Sequence, residues 1–145
     1  MRIRPIQDDD TDAVIGLWRQ CGLLRPWNDP VADIALARKT ESAEIFVGTT
    51  ADNSIDAAVM CGHDGHRGWL YYLAVSPRTQ RQGFGKLMVA HAEQWLRDRD
   101  VPKLELMIRN TNTVVGQFYE SIGYRTEPVV TMSRWLHRPA VARDD

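Results

Sequence analysis

Gln80-Arg81-Gln82-Gly83-Phe84-Gly85-Lys86 is the stretch that decides the fold, because it lies where a predicted strand gives way to a predicted helix. Residues 69–75 form an unbroken apolar, aromatic-rich run, and apolar residues recur at helical spacing over residues 87–96. A helix start leaves backbone N–H groups unpaired and concentrates positive charge, and Gly83 and Gly85 let a ligand approach closely. The stretch therefore predicts an anion site, with a plain tight turn as the alternative.

The glycine spacing separates this stretch from two common nucleotide loops. A Walker loop has four residues between its first glycine and the Gly-Lys pair, whereas here only Phe84 intervenes and no Ser or Thr follows Lys86 to hold magnesium. A dinucleotide-binding fingerprint needs a third glycine three positions after Gly85, where Met88 stands. Neither ATP nor NAD is favoured, and a nucleotide hydrolase is disfavoured.

Length and composition limit the possible functions. The 145 residues suffice for one domain with a sizeable core and are few for two. Eighteen basic and 19 acidic residues give a net charge of -1, which argues against a general binder of nucleic acid or membranes. Cys21 and Cys61 lie in apolar stretches and predict reduced thiols in a cytoplasmic protein, not a disulfide or metal site. No export signal and no apolar run of about 20 residues is visible.

Alternating helices and strands are predicted along one domain, residues 1–145, with 138–145 as a flexible tail. The first predicted helix has N-cap candidates at residues 8–11 and ends at Gly22. The other predicted helices are residues 31–40, 84–98 and 113–121. The predicted strands are residues 3–6, 44–50, 54–62, 69–75 and 104–108. Asp64-Gly65 has the turn chemistry of a tight hairpin between the third and fourth strands.

A second motif begins at the last predicted helix, which Asn112 opens and Gly123 ends, with Phe118-Tyr119 inside it. Together with Gln80 to Gly85, it resembles the two signatures of the GCN5-related N-acetyltransferase (GNAT) family. One is the acetyl-CoA pyrophosphate loop, Gln/Arg-x-x-Gly-x-Gly/Ala. The other is a helix that an Asn opens and that contains a Phe-Tyr or Leu-Tyr pair. A Gly-Phe or Gly-Tyr pair follows it, which is here Gly123-Tyr124.

The resemblance covers nearly the whole chain and implies its fold. The family has an α/β domain of the α+β type, with a mixed, mostly antiparallel central sheet and helices on both faces. Strands at residues 125–128 and 129–136 would then complete the sheet. The blocks 25–30 and 64–68 further resemble those of a subgroup of small bacterial members, which does not define the acceptor.

An acetyl-CoA site that joins both motifs is implied by the resemblance. In the family, the fourth strand separates from its neighbour so that its backbone pairs with pantetheine, the Asn holds the same arm, and the Tyr lies near the thioester sulfur. Tyr119 is the expected general acid, since a phenol (pKa about 10) can protonate a thiolate (about 8.5), with half-buried packing as the alternative. The expected contacts are Leu73, Ala74, Val75, Gln80, Arg81, Gln82, Gly83, Phe84, Gly85, Lys86, Asn112 and Tyr119.

The general base is not specified by the resemblance. Many relatives carry a Glu on the fourth strand, whereas residues 69–75 contain no carboxylate. His66 is the catalytic candidate because its ordinary pKa suits a base at neutral pH, and Asp64, Glu105 or a chain of waters are the alternatives. A solvated turn is the competing interpretation of the hairpin around His66.

Acceptor binding is assigned to Arg25, Trp27 and Asn28 in the loop before the second helix, and to Tyr71. Arg25 could bind a carboxylate, Trp27 could cover a cationic or apolar group, and Asn28 or Asp29 could bind an amine. An Arg25–Asp29 ion pair with a packed Trp27 is the alternative.

The implied reaction moves an acetyl group from acetyl-CoA to a primary amine of a small molecule, peptide or protein by direct attack. A CoA-binding regulatory or interaction module is the alternative function. We expect no metal, nucleic acid or membrane partner, and a homodimer is left open.

Overall fold

Five strands form one sheet in the order β1-β2-β3-β4-β5 in the computed structural model, which describes residues 1–138. The strands are β1 (Arg2–Pro5), β2 (Ala43–Thr49), β3 (Ile55–His63), β4 (Gly68–Val75) and β5 (Leu104–Leu106). Neighbours from β1 to β4 are antiparallel and β5 joins β4 in parallel, so the predicted mixed, mostly antiparallel sheet is confirmed. Most of the predicted tail, residues 139–145, lies outside the described residues.

Helices cover both faces of this sheet, as the sequence predicted. They are α1 (Thr11–Gln20), α2 (Pro30–Arg38), α3 (Phe84–Arg97) and α4 (Thr113–Ser121), with a short 3-10 turn at Asp8–Asp10 before α1. The helices α1 and α2 pack on one face, and α3 and α4 pack on the other. The Asp29 side chain caps α2 by accepting the N–H of Ala32 at 3.1 Å, and Pro30 occupies the first turn.

Each face has its own apolar core. Under α1 and α2, the core is built around Trp18, which is fully buried and stacks on Tyr72 with ring centroids 3.8 Å apart. Under α3, the buried stripe is Met88, Val89, Ala92 and Leu96, which is the helical spacing expected for one covered face. The sheet between the cores is therefore held from both sides.

A β-bulge interrupts β4 at Tyr72. Ala58 pairs with Ala74 and Met60 pairs with Tyr71, so the single residue Val59 lies opposite Tyr72 and Leu73. Tyr72 adopts a φ of 54°, in the left-handed region that costs a residue with a side chain about 1–2 kcal/mol. The stacking on Trp18 and a 2.7 Å hydrogen bond from the Tyr72 hydroxyl to Asp33 Oδ2 hold it there.

The predicted strands at residues 125–128 and 129–136 were wrong. No residue from 125 to 137 pairs with a strand, and the backbone bond formed within this described segment joins the Val129 N–H to the Glu127 carbonyl at 2.9 Å. Alternating β-branched and apolar residues favour extended structure, but a strand forms only where a neighbouring backbone accepts it. The segment finds no such partner among residues 1–138.

An ion pair fastens the edge strand β1 to the turn that begins α1. The Arg4 guanidinium donates to both carboxylate oxygens of Asp10, at 2.6 and 3.1 Å, and the Gln7 N–H donates to the same carboxylate at 2.7 Å. Asp10 is only 8% exposed, so its charge is stabilised mainly by these donors.

We predict that Asp10→Asn lowers the free energy of unfolding at pH 7 by about 1–3 kcal/mol, because it weakens a partly buried charged pair. The hydrogen bond from Arg4 lowers the pKa of Asp10 below its ordinary value of 3.8. This stability is therefore complete above about pH 4 and is lost as the pH falls through the folded-state pKa. Urea unfolding at pH 7 and pH 3 measures both effects. Asp9→Asn, at an exposed neighbour, is the control; equal losses in both variants would contradict the prediction.

Candidate active site

The strands β4 and β5 pair over three residues and then part. Gly68, Trp69 and Leu70 are in register with Leu104, Glu105 and Leu106, and β5 ends there while β4 continues to Val75. From Tyr71 onward, β4 keeps β3 on one edge and, among residues 1–138, has no strand on the other. Unpaired backbone N–H and C=O groups on this edge are free to bind a ligand that carries amides.

The stretch Gln80 to Lys86 lies directly beyond this open edge and begins α3. Gly83 is the N-cap with φ of 82°, and Arg81 also has a left-handed φ of 65°. The first helical bond runs from the Leu87 N–H to the Gly83 carbonyl, so the N–H groups of residues 84–86 have no acceptor within the helix. This is the backbone arrangement of an anion site.

Two cations flank these N–H groups. Arg81 and Lys86 are exposed, and neither forms an ion pair with another of residues 1–138. Gln82 is exposed and Phe84 is half-buried, whereas the Gln80 amide donates to the Val75 carbonyl at 3.0 Å. Gln80 therefore fastens the loop to the end of β4 and leaves the two cations available to a ligand.

Gly85 is the point at which α3, α4 and β4 meet. A Cβ at this position would lie 3.3 Å from Phe118 Cζ and 3.7 Å from Val75 Cγ2. A larger side chain would push α4 away, because the nearest neighbour is a rigid aromatic ring. The glycine thus joins the two sequence motifs in space.

The α4 residues that the sequence singled out have different environments. The Asn112 Oδ1 accepts the Val115 N–H at 3.2 Å and caps α4, which leaves its amide N–H₂ group free to donate. Tyr119 is only 6% exposed and packs edge-on against Phe118 and Tyr124. Burial raises the pKa of Tyr119 to about 12, so its hydroxyl stays protonated at neutral pH.

The Tyr119 hydroxyl is also free to donate a hydrogen bond. Among residues 1–138 it has no hydrogen-bond partner, whereas the neighbouring Tyr124 hydroxyl donates to Glu93 Oε1 at 2.9 Å. Leu73 and Val75 pack against the same core as Tyr119. Tyr119 therefore combines a free donor with a position in the core that adjoins the end of β4.

The predicted acceptor loop lies on the other face of the sheet. Arg25 donates from Nη1 to the carbonyls of Gly22 and Leu24, at 2.7 and 3.0 Å, so the alternative Arg25–Asp29 pair does not form. The Arg109 guanidinium lies 4.9 Å above the centre of the Trp27 ring. Asn28 contacts the Tyr72 hydroxyl. The loop thus reaches both β4 and the chain just past β5.

The candidates for the general base lie at the start of β4. His66 is exposed on the turn before β4, five residues before Tyr71, a separation of at most about 18 Å even for a fully extended chain. Asp64 accepts the His66 and Arg67 N–H groups and the Trp69 indole N–H, and Glu105 pairs with Arg67. Asp64 and Glu105 are thus engaged at the start of β4, where Glu105 is in register with Trp69, and the identity of the base stays a prediction. Tyr71, 42% exposed, lies next to the bulge.

Three residues near the open edge carry no local sequence signal. Asp33 of α2 accepts a hydrogen bond from the Tyr72 hydroxyl, and the Cys21 thiol donates one to the Val75 carbonyl at 3.2 Å. The third residue, Arg109, stacks on Trp27. Burial raises the pKa of the Tyr72 hydroxyl, and its bond to Asp33 adds to the effect. Each contact joins positions far apart in the chain, so only the packed fold reveals it.

The residues present fit acetyl-CoA. Free N–H groups and two cations at the start of α3 suit a pyrophosphate, and the open β4 edge suits the amides of the pantetheine arm. Among residues 1–138, no three His, Cys, Asp or Glu side chains are grouped to hold a metal ion. Each helix in this range is too short or too polar to span a bilayer.

Comparison with known sequences points to one family. The sequence profile described as the acetyltransferase (GNAT) family matches residues 7–124. A protein of Yersinia pestis (strain Pestoides F) described as an acetyltransferase is 40% identical over 136 residues, which cover 94% of this chain and 96% of the relative.

Solved structures share the fold at low sequence identity. AAC(6')-Iy, in complex with the bisubstrate analogue CoA-S-monomethyl-acetylneamine, has a TM-score of 0.78 at 16% identity, with 92% of this chain and 97% of that chain covered. The ribosomal-protein-S18-alanine N-acetyltransferase from Escherichia coli has a TM-score of 0.72 at 23% identity, with 84% and 76% covered.

We predict that acetyl-CoA raises the melting temperature of the wild-type protein, whereas NAD and ATP do not raise it comparably.

Arg81→Ala/Lys86→Ala should raise the Kd for acetyl-CoA about tenfold at low salt, because two positive charges are lost. The rise should be smaller at high salt, because salt screens exposed charges. Calorimetric titration measures the affinity. Arg19→Ala/Lys39→Ala removes the same charge elsewhere and should bind normally. Equal weakening in both double variants would remove the role assigned to Arg81 and Lys86.

Proposed function

The chain belongs to the acetyltransferase (GNAT) family, whose acetyl donor is acetyl-CoA, and from this premise we propose that it acetylates a primary amine. The observation that carries the proposal is the parting of β4 from β5 beside the anion site at the start of α3. It gives the donor an open backbone edge, and it gives the acceptor a way to the same edge from the opposite face. A cytoplasmic location belongs to the proposal, supported by the free thiols of Cys21 and Cys61.

In this reaction the amine nitrogen bonds to the thioester carbonyl carbon, the carbon–sulfur bond breaks, and the departing sulfur takes up a proton. The chain must therefore orient two ligands and stabilise the sulfur. We assign the pyrophosphate to Gln80 to Lys86, the pantetheine arm to the 73–75 backbone and the Asn112 amide, and the sulfur to Tyr119.

The pKa of Tyr119 decides how it acts. A hydroxyl with a pKa of about 12 is a weaker acid than a thiol near 8.5, and each unit of difference costs about 1.4 kcal/mol. Tyr119 as general acid is therefore supported by its free, protonated hydroxyl and limited by its acidity. Its larger contribution is a hydrogen bond to the developing sulfur anion, with an ordered water sharing the proton delivery.

An amine acceptor needs a negative or polar cleft that also accepts its proton. The β4 strand has no carboxylate, but the Asp33 carboxylate lies behind the Tyr72 hydroxyl at 2.7 Å, and Asn28 contacts the same hydroxyl. We infer that Asp33 supplies the charge that holds an ammonium group near the open edge. Arg25, Trp27, Asn28 and Tyr71 would border that cleft, with Arg109 holding Trp27 in place.

A CoA-binding regulatory or interaction module is the second candidate. One observation favours it: β4 has no carboxylate, and Asp64 and Glu105, first considered as a base, are engaged by the Trp69 indole and by Arg67. Such a module would bind acetyl-CoA as tightly as an enzyme but would form no acetylated product above the spontaneous rate. Product formation therefore separates the two functions.

We predict acetylated product from at least one member of an amine panel that contains an aminoglycoside, a polyamine, amino acids, a lysine peptide and a peptide with an N-terminal alanine. Tyr119→Phe should lower kcat on that acceptor by roughly 100-fold, as expected for loss of a proton donor, while the Kd for acetyl-CoA stays unchanged. Mass spectrometry identifies the product, and CoA release gives the rate.

Tyr124→Phe is the matched control, because it removes a neighbouring hydroxyl and its hydrogen bond to Glu93 but keeps the aromatic ring that packs on Tyr119. It should lower stability more than kcat. Unchanged turnover of Tyr119→Phe would eliminate the general-acid role, and an inactive panel with intact acetyl-CoA binding would favour the regulatory module.

We also predict that Asp33→Asn raises KM for the amine about tenfold and leaves acetyl-CoA affinity unchanged, since it neutralises the charge behind Tyr72. Asp12→Asn is the control, because it removes one exposed charge from the first turn of α1. Steady-state kinetics with the acceptor found in the panel measure KM for both variants. An equal rise of KM in both would contradict the role of Asp33.

A further inference from the structure

Arg109 connects the donor side of the site to the acceptor side. Its carbonyl accepts the Asn112 N–H at 2.8 Å, in the turn that leads from the end of β5 into α4. Its guanidinium lies 4.9 Å above the centre of the Trp27 ring in the acceptor loop. The side chain therefore joins the chain past β5 to the loop before α2, beyond the point where β4 and β5 part.

The Arg109 guanidinium is a cation without a counter-charge. The residue is exposed, and its side chain forms no ion pair or hydrogen bond with another of residues 1–138. Contact with the face of an aromatic ring leaves the N–H groups of a guanidinium available as donors. This planar set of donors matches a carboxylate, which it can bind through two parallel hydrogen bonds.

Arg25, the cation that the sequence suggested for a carboxylate, is partly in use. Its Nη1 atom donates to the carbonyls of Gly22 and Leu24, at 2.7 and 3.0 Å. These bonds hold the guanidinium against its own loop. Arg109 has no such acceptor among the described residues, so it is the better placed of the two cations to bind a ligand.

An anion without a counter-charge is linked to the same loop. The half-buried Asp33 carboxylate accepts a 2.7 Å hydrogen bond from the Tyr72 hydroxyl, and it pairs with no cation within residues 1–138. Asn28 contacts that hydroxyl and follows Trp27 in the chain. One short loop thus contacts the cation through Trp27 and is linked to the anion through Asn28 and Tyr72.

We propose that the acceptor is an amine that also carries a carboxylate, the chemistry of a free amino acid, and that Arg109 binds the carboxylate. Asp33 holds the ammonium group before it loses its proton, as in the proposed function on which this inference rests. Such a ligand brings a partner to each unpaired charge. A polycationic amine is disfavoured, because it places a like charge near Arg109.

Matched pairs of ligands that differ only in the carboxylate test the proposal. Lysine is compared with cadaverine, and alanine with ethylamine, by calorimetric titration into the full chain with CoA present. We expect the Kd of the amino acid to be about tenfold below that of its partner in at least one pair, as for a charge-assisted hydrogen bond. A preference in neither pair, or no binding by any of the four compounds, would overturn the proposal.

Variants at Arg109 assign the preference to this side chain. Arg109→Gln should reduce it to about twofold or less, and Arg109→Lys, which keeps the charge but loses the planar donor set, should keep part of it. Arg19→Gln removes an exposed charge from α1 and should keep all of it. If Arg109 only held Trp27 in place, Arg109→Gln would weaken both members of a pair alike, and this result would overturn the assignment.

Titration needs no turnover, so failure of this proposal can be told apart from failure of the proposed function. Acetylated product without any preference for the carboxylate would overturn the substrate class and leave the acetyltransferase activity standing. A preference that Arg109→Gln abolishes, with no acetylated product, would support the role of Arg109 and favour the regulatory module.

Discussion

The separation of β4 from β5 is the constraint on which the rest of the site depends. After Leu70 the two strands stop pairing, and the chain past β5 runs toward the acceptor loop, where Arg109 stacks on Trp27. A continuous sheet would use the backbone groups of β4 for its own hydrogen bonds and would wall off one face from the other. Because the strands part, one edge of β4 stays open to a ligand and both faces gain access to it.

The open edge also explains why the two sequence motifs need glycine where they meet. The helix α3 begins just beyond Val75, and α4 returns to the same place, so Phe118 contacts the position where Gly85 would carry a Cβ. The loop, the end of β4 and the aromatic residues of α4 are thus held at fixed distances by packing. Donor contacts that are far apart in sequence become one surface because the two helices share the core on one face of the sheet.

Local patterns predicted the elements well because periodicity and turn chemistry act over a few residues. The predicted bounds of α4 were correct, and the hairpin at Asp64-Gly65 forms. Three features depended on distant contacts and were not predictable. The alternating residues 129–136 have no partner strand among the described residues, Arg109 reaches Trp27 only in the packed fold, and Asp33 meets Tyr72 only after α2 packs. The anion site needed only a strand, a glycine loop and a helix, which adjoin in sequence.

Two local costs coincide at Tyr72. Its left-handed φ costs about 1–2 kcal/mol, and the indole N–H of the Trp18 ring stacked on it is buried without a partner among residues 1–138, which costs about as much again. A regular strand at this position would remove the cost of the left-handed φ. Their coexistence is explained if the bulge is kept because it carries the Tyr72 hydroxyl to Asp33 and Asn28 at the acceptor face. The same bulge lies two residues past Leu70, the last β4 residue that pairs with β5, so it adjoins the open edge as well as the acceptor face.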